Sequence, residues 1–321
     1  MIAVRKGQPR NAERVSDSWP EAPVLRARLD KKLMLNRRNF LKQAAGGALF
    51  AAAPVLPLMR RRGAAAGAVR FSVCIDMIMT EVPFLERMER IKRLGYPAFE
   101  FWDWKSKDVE AIARKREELG LEVATIMGSG WKHMNTEEAR KTFVEEIRKS
   151  IVAAKRLGSK TMIVTTGLED KNIPREQQRA GYVSALKAAA PYVEEAQLAM
   201  VLEPLNTTVD HPLYYLTTAR EGIQIIDEVS SPAVRLLFDI YHHQIMEGNI
   251  IQDIKQNIAK IAHFHVADVP GRHEPGTGEI NYANVFRAIA ESGFKGFVGL
   301  EFKPSRNAEE ALKEVLKIGS R

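Results

Sequence analysis

Short apolar runs alternate with helix-forming segments along the chain from residue 70 onward. Eight runs are rich in Val, Ile, Leu and Phe, and we predict strands at 70–76, 98–102, 121–127, 160–166, 198–204, 234–239, 262–268 and 296–302. Runs that are apolar throughout are typical of a parallel sheet, because such a sheet is covered on both faces. The pattern therefore predicts eight buried parallel strands.

The segments between these strands carry the hydrophobic period of helices. Clear examples are residues 84–95 and 142–158, and Gly95, Gly120 and Gly158 stand where three helices should end. Glycine is favoured there because the residue after a helix often adopts a left-handed conformation. Eight strands that alternate with helices predict an α/β fold, the (β/α)8 TIM barrel. A doubly wound sheet is the alternative, but no G-x-G-x-x-G fingerprint follows the first strand.

Polar side chains close four consecutive predicted strands. Strands five to eight end at Glu203, Asp239, His265 and Glu301. Chemistry in such barrels lies at this end of the strands, so we expect the four side chains to meet in one quadrant of the barrel mouth. Three carboxylates this close repel one another, and a divalent cation resolves the conflict. Oxygen ligands with one imidazole suit Mn²⁺ or Mg²⁺, with Co²⁺ or Zn²⁺ as alternatives.

Two further side chains near these strand ends are candidates for substrate contact. His242 lies three residues beyond Asp239, and we expect it to bond a substrate oxygen or to orient a metal ligand. Arg272 lies in the loop after the seventh strand and has the bidentate geometry that holds a substrate carboxylate. The alternative for Arg272 is a structural ion pair with Glu274 or Glu279.

Three neighbouring residues are assigned supporting or structural roles. His263 shares one strand face with His265, because side chains alternate along a strand, and we expect it to support the site rather than bind metal. Asn206, just past Glu203, is expected to bond that carboxylate. Cys74 is the single cysteine, so the chain cannot form an intrachain disulfide, and its apolar surroundings predict a core position.

The positive charge of the chain is confined to its N-terminal segment. The formal net charge of the 321 residues is +8, but residues 1–66 hold 14 Lys and Arg against 4 Asp and Glu. The rest of the chain has a net charge of −2. A mildly acidic domain lacks the excess of positive charge that binds a polyanion, so we expect no nucleic-acid partner.

That N-terminal segment predicts export. Residues 36–58 pair Arg37 and Arg38 with "FLK" and an apolar stretch rich in Ala and Gly, and they resemble a twin-arginine signal, with Asn36 where Ser or Thr is usual. The stretch is too short and too rich in small residues to favour a permanent membrane span. A basic amphipathic tail is the alternative. We predict that residues 1–66 are an extension with this signal, that residues 67–321 form a single TIM-barrel catalytic domain, and that the twin-arginine export machinery delivers it to the periplasm.

The second half of the barrel resembles a known family. The segments "LEPLN" (202–206), "FDIYHHQIMEGN" (238–249), "HFHVADVPGRHEPGTGEINY" (263–282) and "GFVGLEFKP" (296–304) are similar to those of the hydroxypyruvate isomerases, which are xylose-isomerase-like TIM barrels. The resemblance implies that Glu203, Asp239, His265 and Glu301 bind the metal and that Glu203 and Glu301 transfer the proton. Hydroxypyruvate isomerases often have Gln at the position of His265, whereas the related sugar epimerases usually have His.

The resemblance implies a metal-dependent isomerase that converts hydroxypyruvate to tartronate semialdehyde through an enediolate. Its substrate would be a small hydroxy-keto acid or keto-sugar, and a homo-oligomer is compatible with the sequence. A ketose 3-epimerase and a 2-oxo-tetronate isomerase are alternatives within the superfamily. A non-catalytic periplasmic sugar-binding protein is an alternative of another class. An apurinic endonuclease on the same barrel would need more histidines and a basic surface.

Overall fold

A closed barrel of eight parallel strands forms the centre of the protein, in a computed structural model that describes residues 68–130 and 134–320. Neighbouring strands follow the order of the chain, and the last strand pairs with the first. The strands are β1 (Phe71–Cys74), β2 (Ala98–Phe101), β3 (Glu122–Ser129), β4 (Thr161–Val164), β5 (Ala199–Leu202), β6 (Val234–Asp239), β7 (Ile261–Val266) and β8 (Val298–Leu300). The predicted TIM barrel is confirmed, and each of the eight predicted runs overlaps a strand.

Helices connect the strands. They are α1 (Phe84–Arg93), α2 (Val109–Leu119), α3 (Glu137–Leu157), α4 (Arg175–Glu195), α5 (Ala219–Val229), α6 (Ile240–Met246), α7 (Ile250–Asn257), α8 (Tyr282–Glu291) and α9 (Ala308–Gly319), with a short 3₁₀ turn at Ile258–Lys260. None of the helices in the described ranges is long and apolar enough to cross a membrane.

Local sequence signals fix the ends of these helices. Asp108 and Thr136 accept hydrogen bonds from free N–H groups in the first turns of α2 and α3, which stabilises both starts. Gly120 and Gly158 follow the same helices in the left-handed conformation, and Gly95 after α1 also has a positive φ. The predicted role of the three glycines is therefore confirmed.

The inward face of the barrel is part apolar and part polar. Ile163, Val201 and Leu237 on β4, β5 and β6 form an apolar cluster of their own. Leu237 pairs in register with His263 of β7, so the two side chains share a face. His263 contacts Glu100 of β2, and strands β7 and β2 are separated by β8 and β1. The two side chains therefore meet inside the barrel.

The rest of the core lies between the strands and the surrounding helices. Phe264 of β7 points away from His263 and His265 and packs against Phe238 and Phe294. Cys74 is a buried free thiol, as predicted, but it pairs in register with Glu100 and so faces the barrel interior. The predicted twin-arginine segment and extension, residues 1–66, lie outside the described residues, so they stay a prediction.

Candidate active site

Three buried carboxylates cluster where β5, β6 and β8 end. Glu203 follows β5, Asp239 is the last residue of β6, and Glu301 follows β8. Their ligand atoms, together with one from His242, all lie within 4.8 Å of one another. The structure thus brings the three predicted acidic ligands together, from strands that are far apart in sequence.

His265 of β7 lies against the same cluster. Its Nδ1 atom is 3.1 Å from a Glu203 oxygen, 3.4 Å from Glu301 Oε1 and 4.0 Å from Asp239 Oδ2. The opposite ring nitrogen, Nε2, is 2.9 Å from Glu100 Oε1. One imidazole edge therefore faces the three carboxylates, as the strand-end pattern predicts, and the other faces the barrel interior.

The contacts of His242 define which of its ring nitrogens carries the hydrogen. The backbone N–H of Asn206 donates to His242 Nδ1 at 3.3 Å, so Nδ1 is an acceptor. Burial lowers the pKa of His242 well below its ordinary value, which keeps the ring neutral. The single hydrogen of the neutral ring is then on Nε2, which lies 3.5 Å from Asp239 Oδ2 and has no hydrogen-bond partner among the described residues. His242 thus offers a donor to the site.

The side-chain amide of Asn206 supports the same assignment. Its Oδ1 accepts from the backbone N–H groups of Val209 and Asp210, which fixes the orientation of the amide. Its Nδ2 group then lies 2.6 Å from His242 Nδ1 and donates to Asp210 Oδ2. The expectation that Asn206 bonds the Glu203 carboxylate is wrong, because its amide faces away from that carboxylate toward the loop after β5.

Arg272 lies at the edge of the cluster. Its guanidinium donates a short hydrogen bond to Glu301 and stacks over the ring of Tyr241, 5.3 Å from the ring centre. The two structural ion pairs considered for Arg272 are both wrong. Glu274 instead accepts from Arg306 and Ser305, and Glu279 accepts from Gln244. Arg272 is thus placed beside the candidate catalytic carboxylate.

One charged residue of the site was not predicted from the sequence. Glu100 of β2 is 1% exposed and accepts from Ser72 Oγ at 2.7 Å, with His263 Nε2 at 3.0 Å. A glutamate inside the apolar run "AFEFW" was the signal that could have found it, since an acidic side chain in a doubly covered strand needs a buried partner. His263 contacts Glu100 rather than the acidic cluster, and its supporting role stays a prediction.

The electrostatics of the cluster reflect crowded negative charge. Burial and the adjacent Glu301 carboxylate raise the pKa of Asp239 to about 7, and burial raises the pKa of Glu203. Although burial opposes its charged form, the carboxylates of Glu301 and Glu100 raise the pKa of His265 well above its ordinary value. Positive charge on His265 therefore stabilises the ionised carboxylates around it.

The residues present fit a divalent cation. Three carboxylates and an imidazole nitrogen, all buried, form the oxygen-rich donor set that Mn²⁺ and Mg²⁺ accept and that Co²⁺ or Zn²⁺ also tolerates. Converging buried carboxylates of this kind are costly unless a cation balances them.

Two tryptophans lie at the same end of the barrel. Trp102 and Trp104 follow β2 and line a cavity of about 310 Å³ with Ser129, Gly130 and Glu146. Trp104 donates from its indole nitrogen to the carbonyl of Met127, which fixes its ring. Both side chains follow the carboxyl end of β2 and therefore lie at the end of the barrel where the acidic cluster is found.

The fold and its buried acidic cluster define a class, the TIM barrels with a metal-type donor set at the carboxyl ends of the strands. A family model of the xylose isomerase-like TIM barrel matches residues 88–318, so the chain belongs to that family. Hydroxypyruvate isomerase of Escherichia coli (strain K12) is 32% identical over 255 residues, covering 76% of this chain and 97% of that relative.

Two further comparisons extend this picture. 2-Oxo-tetronate isomerase of Cupriavidus necator is 29% identical over 250 residues, with 76% of this chain and 96% of the relative covered. A solved structure described as an AP endonuclease, family 2, from Brucella melitensis matches with a TM-score of 0.73 at 25% identity. That match covers 78% of this chain and 98% of the solved chain.

Proposed function

We propose that this protein is a divalent-metal-dependent isomerase that converts hydroxypyruvate to tartronate semialdehyde. The main support is the pair of buried glutamates, Glu203 and Glu301, which follow β5 and β8 and lie 3.1 and 3.4 Å from the same nitrogen of His265. Two carboxylates this close can act on neighbouring carbons of one small substrate. The similarity to a hydroxypyruvate isomerase over 97% of that relative supports the same reaction.

In this proposal Glu203, Asp239, His265 and Glu301 hold the cation, with Mn²⁺ or Mg²⁺ favoured by the donor set. A divalent cation supplies electrophilic stabilisation of the negative charge that develops on the substrate oxygens. The predicted roles of these four side chains rest on their contacts and on the family resemblance.

The protein's own carboxylates move the proton. One of Glu203 and Glu301 removes a proton from the hydroxymethyl carbon of hydroxypyruvate, and its bonding electrons form the double bond of a planar enediolate. The same or the other glutamate returns a proton to the adjacent carbon, while the hydroxyl proton passes from the first oxygen to the second. The product is an aldehyde beside a secondary alcohol, so atoms and electrons balance without a further reactant.

The neighbouring side chains orient the substrate. His242 donates from Nε2 to a substrate oxygen, since its Nδ1 already accepts from Asn206. Arg272 binds the substrate carboxylate beside Glu301, where its guanidinium already lies. An arginine at this position, with its side chain 11% exposed, suits an acid better than an uncharged ketose.

The test uses purified protein, with product measured after incubation with hydroxypyruvate. We expect tartronate semialdehyde to form with Mn²⁺ or Mg²⁺ and not after treatment with a chelator. Glu203→Gln and Glu301→Gln should each abolish turnover, because general acid–base catalysis contributes about 10²- to 10⁴-fold. Retained turnover in either variant would defeat the assigned roles.

Parallel assays with 2-oxo-tetronate and with an uncharged keto-hexose separate the alternative substrates. Arg272→Met should raise KM for an acid substrate more than for an uncharged sugar, because only the acid loses a carboxylate contact, whereas the loss of the Glu301 contact affects both substrates. Turnover of the keto-hexose alone would contradict the proposed acid substrate and favour an epimerase.

A further inference from the structure

The polar side of the barrel interior forms a connected unit beneath the metal ligands. Glu100 of β2 is its centre, and Ser72 of β1 and His263 and His265 of β7 all contact its carboxylate. Each of the four side chains is at most 1% exposed. A carboxylate buried this deeply costs stability unless its partners are fixed, so the unit has a defined geometry.

The two carboxylate oxygens of Glu100 contact different residues. Oε2 accepts from Ser72 Oγ at 2.7 Å and lies 3.0 Å from His263 Nε2, so it is held from two strands. Oε1 lies 2.9 Å from His265 Nε2. Neither of these two atoms has a hydrogen-bond partner among the described residues, so their close approach as an ion pair is what compensates their burial.

A glycine makes room for this carboxylate. Gly299 of β8 pairs in register with Ser72 on one side and with His265 on the other, so it faces the same interior layer. A Cβ atom at position 299 would come within 2.3 Å of Glu100 Oε1. The φ angle of Gly299 is not in the left-handed region, so the backbone itself does not require glycine there. The space that the Glu100 carboxylate needs therefore explains why position 299 is glycine.

We propose that Glu100 is a positioning residue that holds His265 for metal binding, a role that rests on the proposed metal-dependent function. When a cation takes the place of the Nδ1 hydrogen of His265, the hydrogen that stays on Nε2 faces Glu100, and the Nδ1 lone pair faces Glu203, Asp239 and Glu301. A carboxylate on the far nitrogen of a metal-binding histidine fixes the tautomer and the ring orientation, and its loss typically weakens metal binding 10- to 100-fold.

The experiment measures Mn²⁺ affinity of the metal-free protein by titration, with free Mn²⁺ followed by electron paramagnetic resonance. We expect one Mn²⁺ per chain, a roughly 10- to 100-fold weaker Kd for Glu100→Gln, and a similar loss for Gly299→Ala. Ser72→Ala is the matched control, because it removes a partner of Oε2 and leaves the His265 contact in place. Its Kd should stay within about twofold of the wild-type value.

A double-mutant cycle tests whether Gly299 acts through Glu100. Once Glu100→Ala has removed the carboxylate, adding Gly299→Ala should change the Kd by less than about twofold, because the new methyl group meets no carboxylate. The melting temperature of each metal-free variant is recorded as well. A purely structural role would lower that temperature and leave the Kd of the folded protein unchanged.

Three results would overturn the inference. Wild-type Mn²⁺ affinity in Glu100→Gln shows that His265 is positioned without Glu100. Two Mn²⁺ per chain, reduced to one by Glu100→Gln, makes Glu100, His263 and His265 ligands of a second ion, since their ligand atoms also lie within 4.8 Å of one another. If the wild-type protein binds no divalent cation, the proposed metal-dependent function itself is wrong. That result differs from wild-type affinity in Glu100→Gln, which contradicts only the role of Glu100.

Discussion

At the scale of single residues, the tautomer of His242 decides what this side chain offers a substrate. Nδ1 accepts from the Asn206 backbone, so Nε2 carries the hydrogen and points toward the carboxylate cluster as a donor. The nearby ligand atoms would also allow His242 to be a metal ligand by distance alone. Its hydrogen-bond partner argues for a donor, because a nitrogen that carries a hydrogen has no lone pair for a metal.

Substitutions of His242 separate the two roles. His242→Leu should lower kcat/KM by about 10- to 100-fold, which corresponds to one hydrogen bond to a charged group. His242→Gln retains an N–H donor and should lose less than about tenfold. Mn²⁺ affinity should stay within twofold of the wild-type value in both variants. A large loss of Mn²⁺ affinity in His242→Leu, measured by the same titration, would make His242 a ligand instead.

The sequence was informative about residues at strand ends and less so about residues inside strands. Glu203, Asp239 and Glu301 could be predicted because each one closes an apolar run, where a parallel barrel gathers its polar groups. Glu100 is marked by its place in an apolar run, but its partner could not be predicted, because His263 is 163 positions away and only closure of the barrel brings the two together. The contact of Arg272 with Glu301, 29 positions apart, was missed because it depends on the conformation of the loop after β7.

At the scale of elements, hydrogen bonds connect the loop between β7 and α8 to the loop after β8. Glu274 is buried and accepts from the backbone N–H and the hydroxyl of Ser305 and from Arg306. The backbone N–H of Lys303 donates to the carbonyl of Arg272 at 2.7 Å. The loop that carries Arg272 is thereby held beside the segment that carries Glu301.

The Glu274 contacts predict an acid-sensitive contribution to stability. Although burial favours its neutral form, hydrogen bonds from Ser305 and Arg306 lower the pKa of Glu274 to about 2, against 4.5 for an ordinary glutamate. A lowered folded-state pKa stabilises the fold above the unfolded value, and this stabilisation is lost as the pH falls from about 4.5 to about 2. Glu274→Gln should therefore cost up to about 3 kcal/mol near pH 6, a difference that shrinks toward pH 2.

Urea unfolding at a series of pH values measures this difference. Glu279→Gln is the matched control, because it removes an exposed carboxylate from the same loop. A stability difference between wild type and Glu274→Gln that stays constant from pH 6 to pH 2.5 would contradict the assignment.

Element boundaries were harder to predict than the elements themselves. The pattern predicts a helix over 142–158, but α3 begins at Glu137, because Thr136 caps a polar first turn that carries no hydrophobic period. The last strand is predicted over 296–302 and pairs only over Val298–Leu300. Such ends depend on individual hydrogen bonds that an apolar pattern does not encode.

At the scale of the whole molecule, barrel closure concentrates negative charge at one end of the interior. Glu203, Asp239 and Glu301 are all at most 5% exposed, so solvent screens their repulsion weakly. A cation that binds to the folded state and not to the unfolded chain therefore stabilises the folded protein.

Removal of the metal should therefore destabilise the protein. At a free Mn²⁺ concentration of 100 times Kd, binding stabilises the folded state by about 2.7 kcal/mol. For a domain of this size that corresponds to a rise in melting temperature of roughly 5 to 10 °C over the chelator-treated protein. Differential scanning calorimetry measures the shift, and Asp239→Asn should reduce it strongly. An unchanged melting temperature at saturating Mn²⁺ would contradict a metal site in the acidic cluster.

Transfer of a carbon-bound proton is the central claim, and it is tested most directly in heavy water. Wild-type protein with Mn²⁺ is incubated with hydroxypyruvate in D₂O and followed by proton NMR, beside Glu203→Gln, Glu301→Gln and a chelator-treated sample. The account predicts metal-dependent deuterium incorporation at the reacting carbons together with tartronate semialdehyde, and neither in the two variants. Turnover or deuterium incorporation that survives both substitutions would contradict proton transfer by these carboxylates.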